Sequence, residues 1–496
     1  MMVSAATFAG GYLTNTNQSV LFLRNPARDA AIAIDGVYSN PAGVAFLKDG
    51  FHLSLNIQNA HQTRTIQTGF PLFVNNVNQP NNTLHTFKGK ADAPVIPSIH
   101  AAWNKDNWSF QFNFGMVGGG GKCEFENGLG SFEQLVSSMP YTNVNGATAM
   151  DLMNQLYAGL GAVNPQLAGH QMGKGYAYDS YMRGRQYYFG FTLGAARKLN
   201  EHLSVYGGLR MLYGTSNYYG YVKNIQVEHI HNGASEMVNA SAHFIEQAAL
   251  FNQYAGALEQ MGLADKAALL KQGAALSTAL SVATSDIELN CDQTGWGVAP
   301  IIGVDYQTGR LNLAAKFEFK TRMRLKNKSA NSASAEGIAT LDKFRDGHSV
   351  PEDSPALLTL GAQYSPIDQL RLNVGYHHFF DVDTKQYVGS LIGDTNEYLL
   401  GAEYDINKYL QVSAGGQLTR YDQSDRFMND ISFNVRSYSF GFGLGIRLKE
   451  NMKLNLAYFQ TNYDDYDKTE QISGLTVTNS FTRTNRVLGI GLDMTF

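Results

Sequence analysis

Short and long connections alternate along this chain without exception, and few architectures allow that. Apolar residues at every second position mark about fourteen strands, beginning near 51, 94, 108, 183, 202, 292, 310, 355, 369, 396, 408, 435, 451 and 482. Six connections are very short: NKDN (104–107), LNEH (199–202), QTGR (307–310), PIDQ (366–369), INKY (406–409) and KEN (449–451). Seven longer ones lie between them, near 68–92, 117–181, 229–290, 327–354, 381–395, 421–434 and 464–481. An up-and-down cylinder of fourteen strands needs six turns on one rim and seven loops on the other. A β-sandwich or propeller also has many strands but not this asymmetry. Outer-membrane barrels combine short inner turns with long outer loops, and within a bilayer the sheet must close to leave no unpaired edge.

The strands fit that reading. In RLNLAAKFEFKTRMRL, Leu311, Leu313, Ala315, Phe317, Phe319, Met323 and Leu325 alternate with Asn312, Lys316, Glu318, Lys320, Arg322 and Arg324. The chain ends on NRVLGIGLDMTF, with Leu488, Ile490, Leu492, Met494 and Phe496 on one face. Charged residues are only 16%, against roughly 25% in soluble globular chains. Mean hydropathy is nevertheless −0.23, and no stretch approaches the ~20 apolar residues of a membrane helix. Glycine (50), tyrosine (27) and phenylalanine (28) are abundant. The fold class expected is all-β, a 14-stranded antiparallel transmembrane β-barrel in a bacterial outer membrane. A net charge of −4 gives no argument for nucleic acid as a partner.

Two long loops carry helical spacing and predict helical outer segments, about 117–181 and 229–290. Met153 and Tyr157 share one stripe; Phe244, Phe251 and Leu258 share another. These five residues are candidates for an outer site that catches an apolar ligand; the alternative is that the helices pack on each other. Residues 1–10 read as a signal-peptide remnant or expression scar. Residues 11–49 are low in charge and rich in small apolar residues, which predicts a plug folded into the lumen rather than a soluble tail. The barrel itself takes 50–496.

An anionic ligand head would need a cation. On the strand register, Arg210, Lys316, Lys320, Arg322 and Arg371 point inward as candidates; the alternative is that they pair with Glu318, Glu403, Asp493 or the plug. Cys123 and Cys291 lie near the outer rim, where a disulfide between them or two free thiols are both open readings. His229, His231 and His243 fall in one loop as a weak metal or heme candidate, but no metal and no cofactor is expected. VGGGGKCEF (117–125) lacks the spacing of a phosphate loop and reads as a flexible exit from a strand. No Ser–His arrangement points to a barrel enzyme, so the chain is not expected to be one.

SNPAGVAFLKDG (39–50) and AAIAIDGVYSNPAG before the first strand resemble the N-terminal hatch of the FadL/TodX family, which transports long-chain fatty acids and hydrocarbons across Gram-negative outer membranes. Asn40, Pro41 and Ala42 match the family's NPA motif. ADAPVIPSIHAAW (91–103), with Pro94 and Pro97, is similar to its second strand, and DSPALLTLGAQYSP (353–366) also resembles it. The spacing is similar to that of Bacteroidetes members, some of which are called hemin receptors. The resemblance implies passive uptake of a hydrophobic molecule by outer-loop capture, transfer to an interior pocket, hatch rearrangement and lateral exit. It implies outer-membrane lipid and lipopolysaccharide as surroundings, the barrel-assembly machinery as a partner of the terminal Phe496, and a monomer. The other readings are a general diffusion porin, or hemin or aromatic hydrocarbon uptake on the same scaffold.

Overall fold

The computed structural model describes every residue except 1–13, 145, 166–167 and 386–390, so the segment read as a signal remnant lies outside the described residues. Fourteen antiparallel strands close into one cylinder: β1 (Gly50–Gly69), β2 (Leu84–Lys105), β3 (Trp108–Phe125), β4 (His170–Lys198), β5 (Leu203–His231), β6 (Ile287–Thr308), β7 (Leu311–Glu318, continued by Arg324–Ser329), β8 (Ala356–Ile367), β9 (Leu370–Phe380), β10 (Ile392–Asp405), β11 (Leu410–Gln423), β12 (Ser437–Lys449), β13 (Met452–Tyr463) and β14 (Leu475–Thr495). The last strand pairs with the first from His52↔Thr495 to Gly69↔Thr478, and Phe51 and Phe496 exchange two backbone hydrogen bonds at the rim. All six tight turns fall where the sequence placed them. Several strands begin earlier than the alternation suggested: β4 starts at His170 and β6 at Ile287, because the wall rises well past its apolar belt.

Outward positions carry the oily side chains, including Leu55 and Ile57 on β1, Leu209 and Met211 on β5, and Val298, Ile302 and Val304 on β6. No helix among the described residues is long and apolar enough to cross a membrane, which says nothing against strands. Among the described residues five helices sit in the outer loops: Gly130–Ser138, Ala149–Val163, Ala240–Gln260, Ala264–Ala283 and the single turn Ala333–Glu336.

Residues 14–49 run inside the cylinder and are almost wholly buried. Small inward residues make the room: a Cβ at Gly361 would come 2.6 Å from the Ala30 nitrogen, and one at Gly441 would press on the Leu23 carbonyl. The charges meet partners on the wall. Arg28 pairs with Asp35 at 2.8 Å and with Glu403 of β10 at 2.9 Å. Asp29 accepts from His377 of β9 at 2.9 Å, and His377 faces Glu397 of β10 at 2.8 Å. Breaking one side of such a buried pair costs about 3–5 kcal/mol, so these contacts fix where the plug sits.

β7 contains one extra residue. Glu318 pairs with Ile301 of β6, but Lys326 pairs with Thr294, so seven residues (319–325) face six (295–300). Such a bulge reverses which side chains face in. Asn312, Lys316 and Glu318 point inward below it; Met323 and Leu325 point inward above it, and Arg322 and Arg324 are turned out.

Candidate functional site

The inner face of the wall changes character with height. Near the short turns it is polar, with Ser54, Asn56 and Gln58 on β1 and Ser109, Gln111 and Asn113 on β3, all buried against the plug. Higher up it turns apolar. Ile66, Phe87, Phe125, Met182, Leu212, Tyr218, Leu289, Met323, Leu325 and Phe481 come from eight strands and pack together as one apolar chamber filled by their own side chains. Phe427, Met428, Ile431, Phe433 and Val435 of the loop after β11 fold down into it as a lid. Tyr38 of the plug and Val117 of β3 pack into the same cluster.

Two arginines face this chamber. Arg64 of β1 and Arg483 of β14 are direct cross-strand partners and both are buried. The Gln62 amide sits between them, and they lie against the Phe433 and Tyr463 rings at 5.2 and 4.5 Å. Two cations held this close inside an apolar wall make the local field positive, which favours an anionic group beside them. Sequence reasoning missed both. Their signal was modest: inward parity on TRTIQ (63–67) and on FTRTN (481–485).

The wall beside Val117 has a gap. β2 and β3 pair at Gly89–Lys90 with Glu124–Phe125 and again from Ile99↔Phe114 downward, but not between. Pro94 and Pro97 remove two donors from β2 in that stretch. On β3 the run Gly118–Gly121 kinks, with Gly119 at φ 80° and Gly121 at φ 77°. The kinked carbonyls take their donors from the plug instead: Asn15 N donates to Val117 O at 2.8 Å, Asn15 Nδ2 to Gly119 O at 2.9 Å and Gln18 Nε2 to Met116 O at 3.0 Å. Ile96, Pro97 and Met116 fill the opening, leaving a cavity of about 10 Å³. The glycine run is therefore an internal kink of a strand that continues to Phe125, not a strand exit.

No protein-family model and no curated protein matches the chain. Solved structures do. A Pseudomonas aeruginosa FadL homologue aligns over 98% of this chain and 100% of its own, with a TM-score of 0.61 at 12% identity. The Pseudomonas putida toluene transporter TodX aligns over 95% of this chain and 96% of its own, with a TM-score of 0.52 at 14% identity. The fold is that of the FadL/TodX family. In this FadL-type barrel the NPA motif is a staple. Asn40 donates to Asp305 of β6 at 2.6 Å, the Pro41 carbonyl accepts from Gln111 of β3 at 2.7 Å, and the Ala42 carbonyl accepts from Ser204 of β5 at 2.7 Å.

Several sequence-derived candidates are corrected by the FadL-type architecture. Arg210 and Lys316 do point inward, but both are ion-paired with Glu318 and both press on the Tyr38 ring, so they hold the plug. Arg371 is half-buried near the inner rim and pairs with Asp405 at 2.9 Å and Glu403 at 3.4 Å. Arg322 faces outward because of the β7 bulge, and Lys320 reaches out of the lumen to the Asp383 carbonyl at 2.6 Å. Met153, Tyr157, Phe244, Phe251 and Leu258 are buried in one cluster between the outer helices, which pack on each other and leave these five side chains no open groove. Cys123 and Cys291 are free thiols. They sit on β3 and β6, three strand intervals apart, or about 14 Å along the wall, beyond disulfide reach. His229, His231 and His243 are joined by His170, but His170 stacks between His231 and His229 at 4.0 and 5.1 Å and His243 tilts against His229 at 4.9 Å, and no cluster among the described residues is arranged to hold a metal ion.

Proposed function

We propose that this chain spans a bacterial outer membrane and carries hydrophobic small molecules inward without an energy source, long-chain fatty acids among them. One observation carries the reading: a single buried apolar cluster contains both a plug residue, Tyr38, and a residue of the wall gap, Val117. Anything that moves the plug therefore also acts on the gap. A ligand caught among the outer loops displaces the lid at 424–436 and enters the chamber. Each buried methylene gains about 0.8 kcal/mol there, which a water-filled lumen cannot supply. Arg64 and Arg483 take the carboxylate. Withdrawal of Asn15 and Gln18 frees the kinked β3 backbone, and the ligand leaves sideways between β2 and β3 into lipid. A diffusion porin needs an open aqueous lumen, whereas residues 14–49 fill this one.

The test is binding and transfer in proteoliposomes with oleate and its alcohol counterpart as probes. Arg64→Gln with Arg483→Gln should weaken oleate binding about tenfold or more and leave the alcohol unchanged, since only the ion loses a partner. A folded, inserted protein that binds neither probe and passes a steady ion current would leave the porin reading instead.

A further inference from the structure

The bulge in β7 does more than redirect Met323 and Leu325 into the chamber. Its other consequence is a row of cations on the outside. Arg322, just before the β7 continuation, and Arg324, Lys326 and Lys328 on it occupy alternate outward positions and are all exposed. None of the four forms an ion pair among the described residues. Two carboxylates stand opposite the row in register: Asp292, across from Lys328, accepts from Asn217 Nδ2 at 2.9 Å, and Asp353, across from Arg322, accepts from the Met323 and Lys385 backbone N–H groups, each at 3.1 Å. Thr294, opposite Lys326, has no charge.

The height of the row is fixed by the neighbouring strand. On β6 the outward residues from Tyr306 to Trp296 are apolar or aromatic, with Tyr306 at one end and Trp296, 67% exposed, at the other. Ten residues rising ~3.3 Å each span about 33 Å, or about 25 Å at a tilt near 40°, the height of a barrel's apolar belt. Trp296 therefore marks the belt's outer edge. Arg324 lies level with it and Lys326 and Lys328 stand above it, as the pairing of Lys326 with Thr294 requires, while Arg322 starts one step below, beside Val298, and its long side chain reaches up to the edge. A cation in the apolar belt would be costly; at this level it meets lipid headgroups. Alternate residues along a strand are about 6.7 Å apart, so the row presents its charges at the spacing of neighbouring phosphates on one lipid surface.

We propose that Arg322, Arg324, Lys326 and Lys328 form a binding strip for phosphorylated lipid headgroups of the outer leaflet. The strip holds β7 against the leaflet beside the bulge and leaves the chamber to the transported ligand. The inference rests on the membrane-spanning reading and adds a lipid site to it.

The experiment uses the full chain in detergent and in vesicles. Wild type is compared with a variant carrying Arg322→Gln, Arg324→Gln, Lys326→Gln and Lys328→Gln, and with Arg322→Lys/Arg324→Lys, which keeps the charge. The probe is a bis-phosphorylated glycolipid, with its dephosphorylated form as control. Retained lipid is counted by native mass spectrometry, and heat-modifiable gel mobility reports folding. Wild type and the Lys variant should retain the phosphorylated probe, and the Gln variant should retain it at least about tenfold less well, each surface cation near lipid contributing appreciably. Equal retention by wild type and a folded Gln variant, or equal retention of the dephosphorylated probe, overturns the strip. Loss of wild-type binding to an acidic protein, with no lipid preference, overturns it in favour of a protein partner. Failure of wild type to insert into vesicles defeats the membrane reading itself, and oleate binding by the inserted Gln variant separates the two.

Discussion

At the scale of single residues, the outer histidine stack carries a pH response whose sign can be worked out. His231, His170 and His229 stack in series with His243 tilted against the last, and Tyr157 Oη is 3.3 Å from His243 Nε2. Burial, and then the neighbouring His229, lowers the His243 pKa to about 4; burial, His231 and His229 lower that of His170. The one carboxylate at the stack, Glu236, lies 3.4 Å from His229 and pulls the other way. An unfolded histidine titrates near 6.5. Between that value and about 4 the unfolded loop takes protons that the folded loop refuses, so loop stability falls as pH falls through this window and is flat above it. Amide exchange in the helix Ala240–Gln260, corrected for its intrinsic rate, should be slower at pH 7.5 than at pH 5. His243→Gln should remove most of that difference. Protection independent of pH in wild type would show that the stack does not hold the helix.

At the scale of elements, the kink in β3 separates two glycines that look alike in sequence. Both have positive φ, which costs a residue with a Cβ about 1–2 kcal/mol. A Cβ at Gly121 meets nothing within 4 Å, whereas one at Gly119 presses on the Gln186 carbonyl, which is backbone and cannot rotate away. Gly121→Ala should therefore lower stability by about 1 kcal/mol and Gly119→Ala by roughly 2–3 kcal/mol, read from urea midpoints in one detergent. The reverse order would mean that the kink is held elsewhere. The same strands show what the sequence could and could not say. Alternation tells which residues share a face, and turn chemistry tells where strands stop, so the strand number and all six tight turns were legible. Which way a face points is a tertiary matter. Phe319, Met323 and Leu325 keep one parity in sequence, yet one extra residue puts the first outside and the other two inside. The glycines at 118–121 read as a strand exit because their partner, the proline-bearing stretch of β2, lies more than twenty positions away. The paired arginines were illegible for the same reason: Arg64 and Arg483 become neighbours only when the last strand meets the first.

At the scale of the whole molecule, the lumen has two seals in series, built from different chemistry. The inner seal is the plug, held by polar contacts such as Arg28 with Glu403, Asp29 with His377 and Asn40 with Asp305. The outer seal is the lid of Phe427, Met428, Ile431, Phe433 and Val435, held by apolar packing and by Asp430, which accepts from Ser131 N at 2.7 Å. The cylinder's own closure depends on neither, since the β1–β14 seam is continuous from His52 to Gly69. Removing residues 14–49 should thus leave a folded barrel whose lower lumen, lined by Ser54, Asn56, Gln58 and their like, fills with water. The lid would still close the top, now without Tyr38 beneath it, so planar-bilayer recordings should show brief, flickering openings. Shortening the loop at 424–436 as well should convert these to a steady current, and shortening it alone should not. A steady current in the intact chain, or none after both changes in a heat-modifiable barrel, would refute the arrangement. The order matters for transport: a polar seal that yields to rearranged hydrogen bonds and an apolar seal that yields to an apolar ligand need never be open at once, so an oily molecule can pass where ions do not.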